Sequence, residues 1–292
     1  MTKRITLKCS ANDGTPLEAT FAPDRGMNLT SYKRGSTEVI DQSTSPLFEE
    51  RCAGLGALIG PHFHHRNPKV TPPVANDSLF PHLAAIKKRG TTEPFSHGIA
   101  RYVPWQTEAT ENTVQAIVTG KDEWQGVPLA DLEGQDFTIT YDATLTSEGL
   151  NIRMTVRSDT DSVIGLHYYY NLPKGTGSIT SDVRNTCMEN GIERELDSKW
   201  NLDNQNVLRF DLGDEADYGF RPSKDPCGGT IILDAGDYRL RTRYQTGCAE
   251  NSWQLYHPKG SSFVCIEPLT AEDPRKPQLT VSILDALLTI ET

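Results

Sequence analysis

Phe137-Thr138-Ile139-Thr140-Tyr141-Asp142-Ala143-Thr144-Leu145 and Leu150-Asn151-Ile152-Arg153-Met154-Thr155-Val156, separated by Ser147-Glu148-Gly149, form the stretch whose reading decides the fold. Apolar side chains stand at every second position of both runs. Each run therefore buries one face and wets the other, as a half-covered strand does. The Ser-Glu-Gly triplet has the chemistry of a turn. The same alternation extends outward to residues 5–7, 17–21, 114–118, 178–181, 230–233, 238–244, 262–266 and 279–283. Asn12-Asp13-Gly14, Gly175-Thr176-Gly177, Ala235-Gly236-Asp237 and Pro258-Lys259-Gly260 supply further turns. Helical periodicity is confined to residues 77–88 and 189–196, and residues 197–214, rich in Asp and Asn, read as a long surface connection. Many short strands, without repeat or linker, predict an all-β sandwich in which residues 1–292 form one domain.

Composition narrows the function. The chain has 292 residues, 36% of them hydrophobic, and can bury a large core. A formal net charge of −10 argues against broad nucleic-acid or anionic-membrane binding, because nothing would neutralise phosphates over a wide face. A local basic pocket for one small anion stays compatible with it. The cysteines at 9, 52, 187, 227, 248 and 265 are scattered, with no C-x-x-C. They read as reduced thiols in a reducing compartment. The N-terminus has no apolar h-region and the chain no run of 18 apolar residues, so a cytoplasmic location is expected. Asn28-Leu29-Thr30 and Asn76-Asp77-Ser78 match the glycosylation pattern, which is common by chance. No Walker loop, dinucleotide fingerprint or G-x-S-x-G is present.

Three islands carry chemistry: Ser96-His97-Gly98-Ile99-Ala100-Arg101, Leu166-His167-Tyr168-Tyr169-Tyr170-Asn171-Leu172 and Cys265-Ile266-Glu267-Pro268-Leu269-Thr270. Each sets a titratable residue in an apolar, strand-like run, where a charge has no structural use. Two imidazoles and a carboxylate suit metal-free acid–base catalysis, with no cofactor. The bland alternatives are a turn-capping His97, a core His167 and a solvent-facing Glu267. The tyrosines and Trp253 offer flat faces for a sugar. Arg51, Arg66 and Arg101 lie near these islands and could fork onto an anion or hydroxyls.

Pro61-His62-Phe63-His64-His65-Arg66-Asn67 admits a metal reading, with His62, His64, His167 and Glu267 as ligands. The following Arg66-Asn67-Pro68 turns the chain, which favours imidazoles scattered along a pocket rim over a metal centre. No metal is expected.

Taken in order, the islands resemble the aldose 1-epimerase (galactose mutarotase-like) family. The likeness runs from about residue 20 to the C-terminus. It rests on Gly26-Met27-Asn28-Leu29-Thr30-Ser31-Tyr32 with Val39-Ile40-Asp41, and on the glycine-rich 51–61 segment followed by Arg66-Asn67. His97-Gly98, His167 to Leu172, Asp217-Tyr218-Gly219-Phe220 and Glu267-Pro268-Leu269-Thr270 complete it. The resemblance implies a large antiparallel β-supersandwich with its site on a concave sheet face. It implies Glu267 as general base, His167 as general acid, and His97, Arg66 and Asp217 as substrate-binding residues, with Arg51, Asn67 and Arg101 beside them. Tyr168 stands where the family has proline. His97-Gly98-Ile99-Ala100-Arg101 is similar to the His-Gly-Phe-Ala-Arg of its hexose-6-phosphate branch. The resemblance implies interconversion of the α and β anomers of a hexose; the alternatives are a hexose 6-phosphate as substrate, or a non-catalytic carbohydrate-binding protein of the same fold in which the tyrosines and Trp253 serve binding alone. The expected partner is a small sugar or sugar phosphate, with no nucleic acid or membrane, the chain acting as a monomer or weak dimer.

Overall fold

Phe137–Thr146 and Gly149–Ser162 pair antiparallel across the expected turn, from Phe137 opposite Ser158 to Thr146 opposite Gly149. In the computed structural model, which describes residues 3–63, 74, 77–88, 93–196, 201–202 and 207–291, this pair lies within the first of two packed sheets. That sheet runs from Gln106–Ala109 through Thr113–Thr119, Phe137–Thr146, Gly149–Ser162, Leu279–Glu291 and Arg239–Thr246 to Gly228–Asp234. The second sheet carries the site. Seven of its strands are β1 (Asn28–Arg34), β2 (Gly56–Ile59), β3 (Gly165–Asn171), β4 (Ser178–Glu189), β5 (Ala216–Pro222), β6 (Ser252–His257) and β7 (Phe263–Leu269). Their spatial order is β1-β2-β3-β7-β6-β5-β4. All pairings among the described residues are antiparallel.

Strand β4 ties the sheets together. Residues Ser178 to Ser181 pair with Gly228–Asp234 in the first sheet, whereas Val183 to Met188 pair with β5 in the second. One hydrophobic cluster between the sheets draws on residues from Leu7 to Ile290. Phe21 meets Tyr141 edge-on across it, and the Tyr141 and Tyr168 hydroxyls lie 3.1 Å apart. The Tyr32 hydroxyl donates to the Leu288 carbonyl at 2.8 Å and accepts from the Leu150 amide, so buried polar tips are satisfied across the interface.

Three expectations change. Residues 189–196 form no helix: Glu189 pairs with Ile192 and the chain reverses into the strand Ile192–Glu195. Asn190 and Gly191 both take positive φ, +53° and +77°, the geometry of a tight hairpin turn that Asn-Gly favours. Within 197–214, Asn201–Leu202 and Val207–Asp211 are strands rather than a surface connection. Buried Leu208 anchors the second strand; residues 197–200 and 203–206 lie outside the described residues. The first island is not a strand either, since His97 and Gly98 lead into the 3-10 helix Ile99–Tyr102.

The helical reading of 77–88 is met by the 3-10 turn Asp77–Leu79 and the helix Pro81–Lys88. An additional helix, α1 (Ser45–Arg51), buries Phe48 under Arg25. Asn28 is buried and binds the Gly54 carbonyl and the Gly56 amide, which leaves it no role as a glycan acceptor; Asn76 lies outside the described residues. The six cysteines are unbridged. Among the described residues, no helix is long and apolar enough to cross a membrane.

Candidate active site

Register assembles the site. Tyr168 pairs with Ile266 and Tyr169 with Cys265, which sets His167 opposite Glu267. Glu267 pairs with Gln254 and Cys265 with Tyr256 on β6. Gln254 pairs with Gly219 and Tyr256 with Asp217 on β5. Side chains alternate along a strand, so two rows cross one face of four strands: His167, Glu267, Gln254, Gly219, and beside it Tyr169, Cys265, Tyr256, Asp217. The alternate residues Leu166, Tyr168 and Tyr170 enter the sandwich core. Gly219 leaves room for the Gln254 amide, which a Cβ there would meet at 2.7 Å and displace.

A cavity of about 350 Å³ opens over these rows. His167 and Glu267 form its floor, with Gln254 beside them, and Tyr169, Tyr256 and Asp217 flank it. Phe63, His97, Asn190 and Arg275 complete its lining. Its volume is at the small end of the roughly 300–1,000 Å³ of small-molecule pockets.

His167 Nε2 lies 3.3 Å from Glu267 Oε1, with both side chains almost wholly buried. Burial pushes the Glu267 carboxyl well above its ordinary range; Arg101 opposes this and Asp217 adds to it. The result is a carboxylate of enhanced basicity beside an imidazole. Tyr169 stacks on His167 at 5.0 Å between centroids, with planes 10° apart, which fixes the ring. His97 lies 4.9 Å from His167, centroid to centroid.

The first island positions His97 by backbone strain. His97 has φ of +64°, a left-handed conformation uncommon outside glycine. Its Nδ1 lies 2.9 Å from the Phe63 carbonyl. A carbonyl only accepts, so this nitrogen carries the hydrogen. Gly98 follows at φ +85°, where a Cβ would stand 1.9 Å from the Gly60 carbonyl oxygen. The glycine thus admits the backbone of the Gly60-Pro61 segment.

The other expected residues are distributed as follows. Asp217 lines the cavity; its carboxyl is raised by burial, while Arg275 opposes the rise. Arg101 is 3% exposed and lies behind the site, where its Nε donates to the Leu58 carbonyl at 2.9 Å. It acts on Glu267 and Cys265 through its charge. Arg51 ends α1 within electrostatic reach of Tyr169 and Tyr256. Arg66, Asn67, His64 and His65 lie outside the described residues. Of the three tyrosines in the second island only Tyr169 lines the cavity, and Trp253 is buried in the core.

His62 does not line the cavity rim. Its Nδ1 is turned to Glu133 and its Nε2 to Glu93, the latter at 3.0 Å. Burial opposes its charge, yet the two carboxylates push its pKa up to about 9. Glu133 also accepts from the Ile99 amide at 3.0 Å. His62 is thus a clamp holding the 3-10 helix that follows His97, and it is not brought together with His167 and Glu267.

Sequence reasoning missed Asn190, Gln254, Tyr256 and Arg275. Signals existed for three. Asn190-Gly191 is a hairpin turn, and in Ser252-Trp253-Gln254-Leu255-Tyr256 the buried Trp253 and Leu255 alternate with the two site residues. Arg275 lies within the loop between the strands Phe263–Leu269 and Leu279–Glu291 and has no such signature.

No protein-family model and no curated protein matches the chain. Solved structures do. A galactose mutarotase-like protein from Lactobacillus casei superposes with a TM-score of 0.66 at 14% identity, covering 99% of this chain and 100% of the other. A galactose mutarotase related enzyme from Lactobacillus acidophilus gives 0.66 at 12% identity, covering 99% and 98%. A galactose mutarotase-like protein from Clostridium acetobutylicum gives 0.62 at 12%, covering 99% and 98%. At these identities the likeness speaks for the fold. The chain has the galactose mutarotase-like fold, as the order of its sequence islands led one to expect.

Proposed function

We propose that the protein interconverts the α and β anomers of a hexose by metal-free general acid–base catalysis. The observation that carries this reading is the buried His167–Glu267 pair, 3.3 Å apart, on the floor of a small polar cavity. In a hemiacetal the C1 hydroxyl and the ring oxygen share one carbon, so an acid and a base must converge on neighbouring atoms. Glu267 removes the hydroxyl proton while His167 protonates the ring oxygen. The ring opens, the C1–C2 bond rotates, and closure with reversed roles gives the other anomer. No net proton or hydride is consumed. Asp217, Gln254 and His97 supply hydroxyl partners, and Tyr169 and Tyr256 flank the sugar with apolar faces.

Arg275 on the cavity lining and Arg51 near it favour a second substrate, a hexose bearing a phosphate, because guanidinium groups fork onto such anions. The unbridged cysteines suit the cytoplasm. Polarimetry on freshly dissolved α-glucose, α-galactose and glucose 6-phosphate tests both readings. Exchange faster than buffer supports the activity, and the ratio of kcat/KM between neutral and phosphorylated sugars assigns the substrate. Rates no faster than buffer on all of them would sink it.

A further inference from the structure

Cys265 takes no part in anomer exchange, yet it sits against the groups that do. It shares a face of β7 with Glu267 and lies between Tyr169 and Tyr256 in its row. The Cys265 sulfur, a His167 ring nitrogen and a Glu267 carboxylate oxygen all lie within 4.8 Å of one another. Three buried side chains therefore offer one sulfur, one nitrogen and one oxygen to a common point, with the cavity on the fourth side. We propose that His167, Cys265 and Glu267 form a capture site for a thiophilic divalent cation, zinc being the type ion, and that the bound ion stops anomer exchange by occupying both acid and base.

The geometry supports it. Zinc takes nitrogen and oxygen ligands at about 2.0 Å and thiolate at about 2.3 Å in a tetrahedron, so its nitrogen–oxygen edge is about 3.3 Å. The His167–Glu267 separation is 3.3 Å. The matching sulfur edges are about 3.5 Å, and the Cys265 sulfur lies within 4.8 Å of both partners, so an approach of at most about 1.3 Å completes the face. Three protein ligands with one open position is the composition of accessible zinc sites, where water or a substrate oxygen fills the fourth place. The thiol releases its proton to solvent as the sulfur–metal bond forms. Burial raises both the Cys265 thiol, with Glu267 adding to it, and the Glu267 carboxyl well above their ordinary ranges, so metal binding must displace their protons; Arg101 opposes both rises but repels the cation. This set differs from the histidine cluster the sequence suggested, since His62 is committed to Glu133 and Glu93.

The inhibition rests on the anomer-exchange reading; the binding does not. Tag-free protein is titrated with Zn²⁺ by calorimetry, and with Co²⁺ in a spectrophotometer to detect thiolate-to-cobalt charge transfer. One equivalent of Zn²⁺ and a near-ultraviolet cobalt–thiolate band are expected. Cys265→Ser should abolish the band and weaken Zn²⁺ by at least about tenfold. His167→Ala, which keeps all six cysteines, should do the same and serves if Cys265→Ser does not fold. Where exchange is measurable, Zn²⁺ should inhibit the wild type, while Cys265→Ser keeps the basal rate and resists inhibition. No cobalt–thiolate band in the wild type, or unchanged Zn²⁺ affinity in a folded variant, overturns the proposal. A band without any anomer exchange upholds the metal site and removes the proposed activity.

Discussion

Replacing His62 by glutamine should remove a pH-dependent part of the stability, and its size follows from the site. In the fold His62 is buried between Glu133 and Glu93 with its pKa raised from 6.5 to about 9. At about 1.36 kcal/mol per tenfold change in proton affinity, this is worth about 3 kcal/mol. The folded value lies above the unfolded one. The stabilisation is therefore fully present below pH 6.5 and is lost as pH rises through about 9. Unfolding entropies of about 2.1 cal/mol/K per residue, applied to the 292 residues, give about 0.6 kcal/mol/K, so the effect is about 5 °C in Tm. Circular-dichroism melts of wild type and His62→Gln across pH 6 to 9.5 read it directly. The wild-type advantage should be about 5 °C larger at the acidic end. A difference that does not change with pH would refute the charged clamp. Because Glu133 also holds the Ile99 amide, the same clamp steadies the segment that presents His97.

Glu267→Gln should raise Tm at pH 7.5, because the Glu267 carboxyl is lifted by burial well above 4.5. That contribution is present below pH 4.5 and lost as pH rises, so the variant's gain should grow from pH 4.5 upward; melts showing no gain at neutral pH would contradict it. Gly98→Ala should cost at least about 3 kcal/mol in urea unfolding, from positive φ and a backbone clash at the Gly60 carbonyl. A loss under about 0.5 kcal/mol would show that the segment yields. Asp217→Asn should raise KM by about tenfold with kcat little changed, as expected for a group that holds hydroxyls without moving protons; a matching loss in kcat would give Asp217 a chemical role.

The proposed catalytic pair was legible because alternation is local information. His167 is flanked by Leu166 and Tyr168, and Glu267 by Ile266 and Pro268, so either is conspicuous in its own strand. Their contact was not legible, since it depends on pairing between residues a hundred positions apart. The sheet order was equally hidden, because β2 follows β1 closely in sequence while β3 and β7 meet only through long connections. Asn190 escaped because the 189–196 stretch carries charges at helical spacing, which masked the stronger Asn-Gly turn. Arg101 reads the same in sequence whether it reaches into a cavity or is buried away from it; one turn of 3-10 helix decides, and it buries the guanidinium against the Leu58 carbonyl, within electrostatic reach of Glu267. His62 shows the limit most clearly. Its partner Glu133 is 71 residues away, so a histidine-rich run resembling a metal ligand set contributes an internal ion pair.

The central claim is that His167 and Glu267 together move the two protons of anomer exchange. Two-dimensional exchange NMR on an equilibrated hexose, or on its 6-phosphate, measures this without coupling enzymes or net reaction. Cross-peaks between the α and β anomeric protons should appear with catalytic amounts of wild-type protein. They should weaken by at least about a hundredfold with folded His167→Ala or Glu267→Gln. Exchange that persists unchanged in both variants would contradict the account.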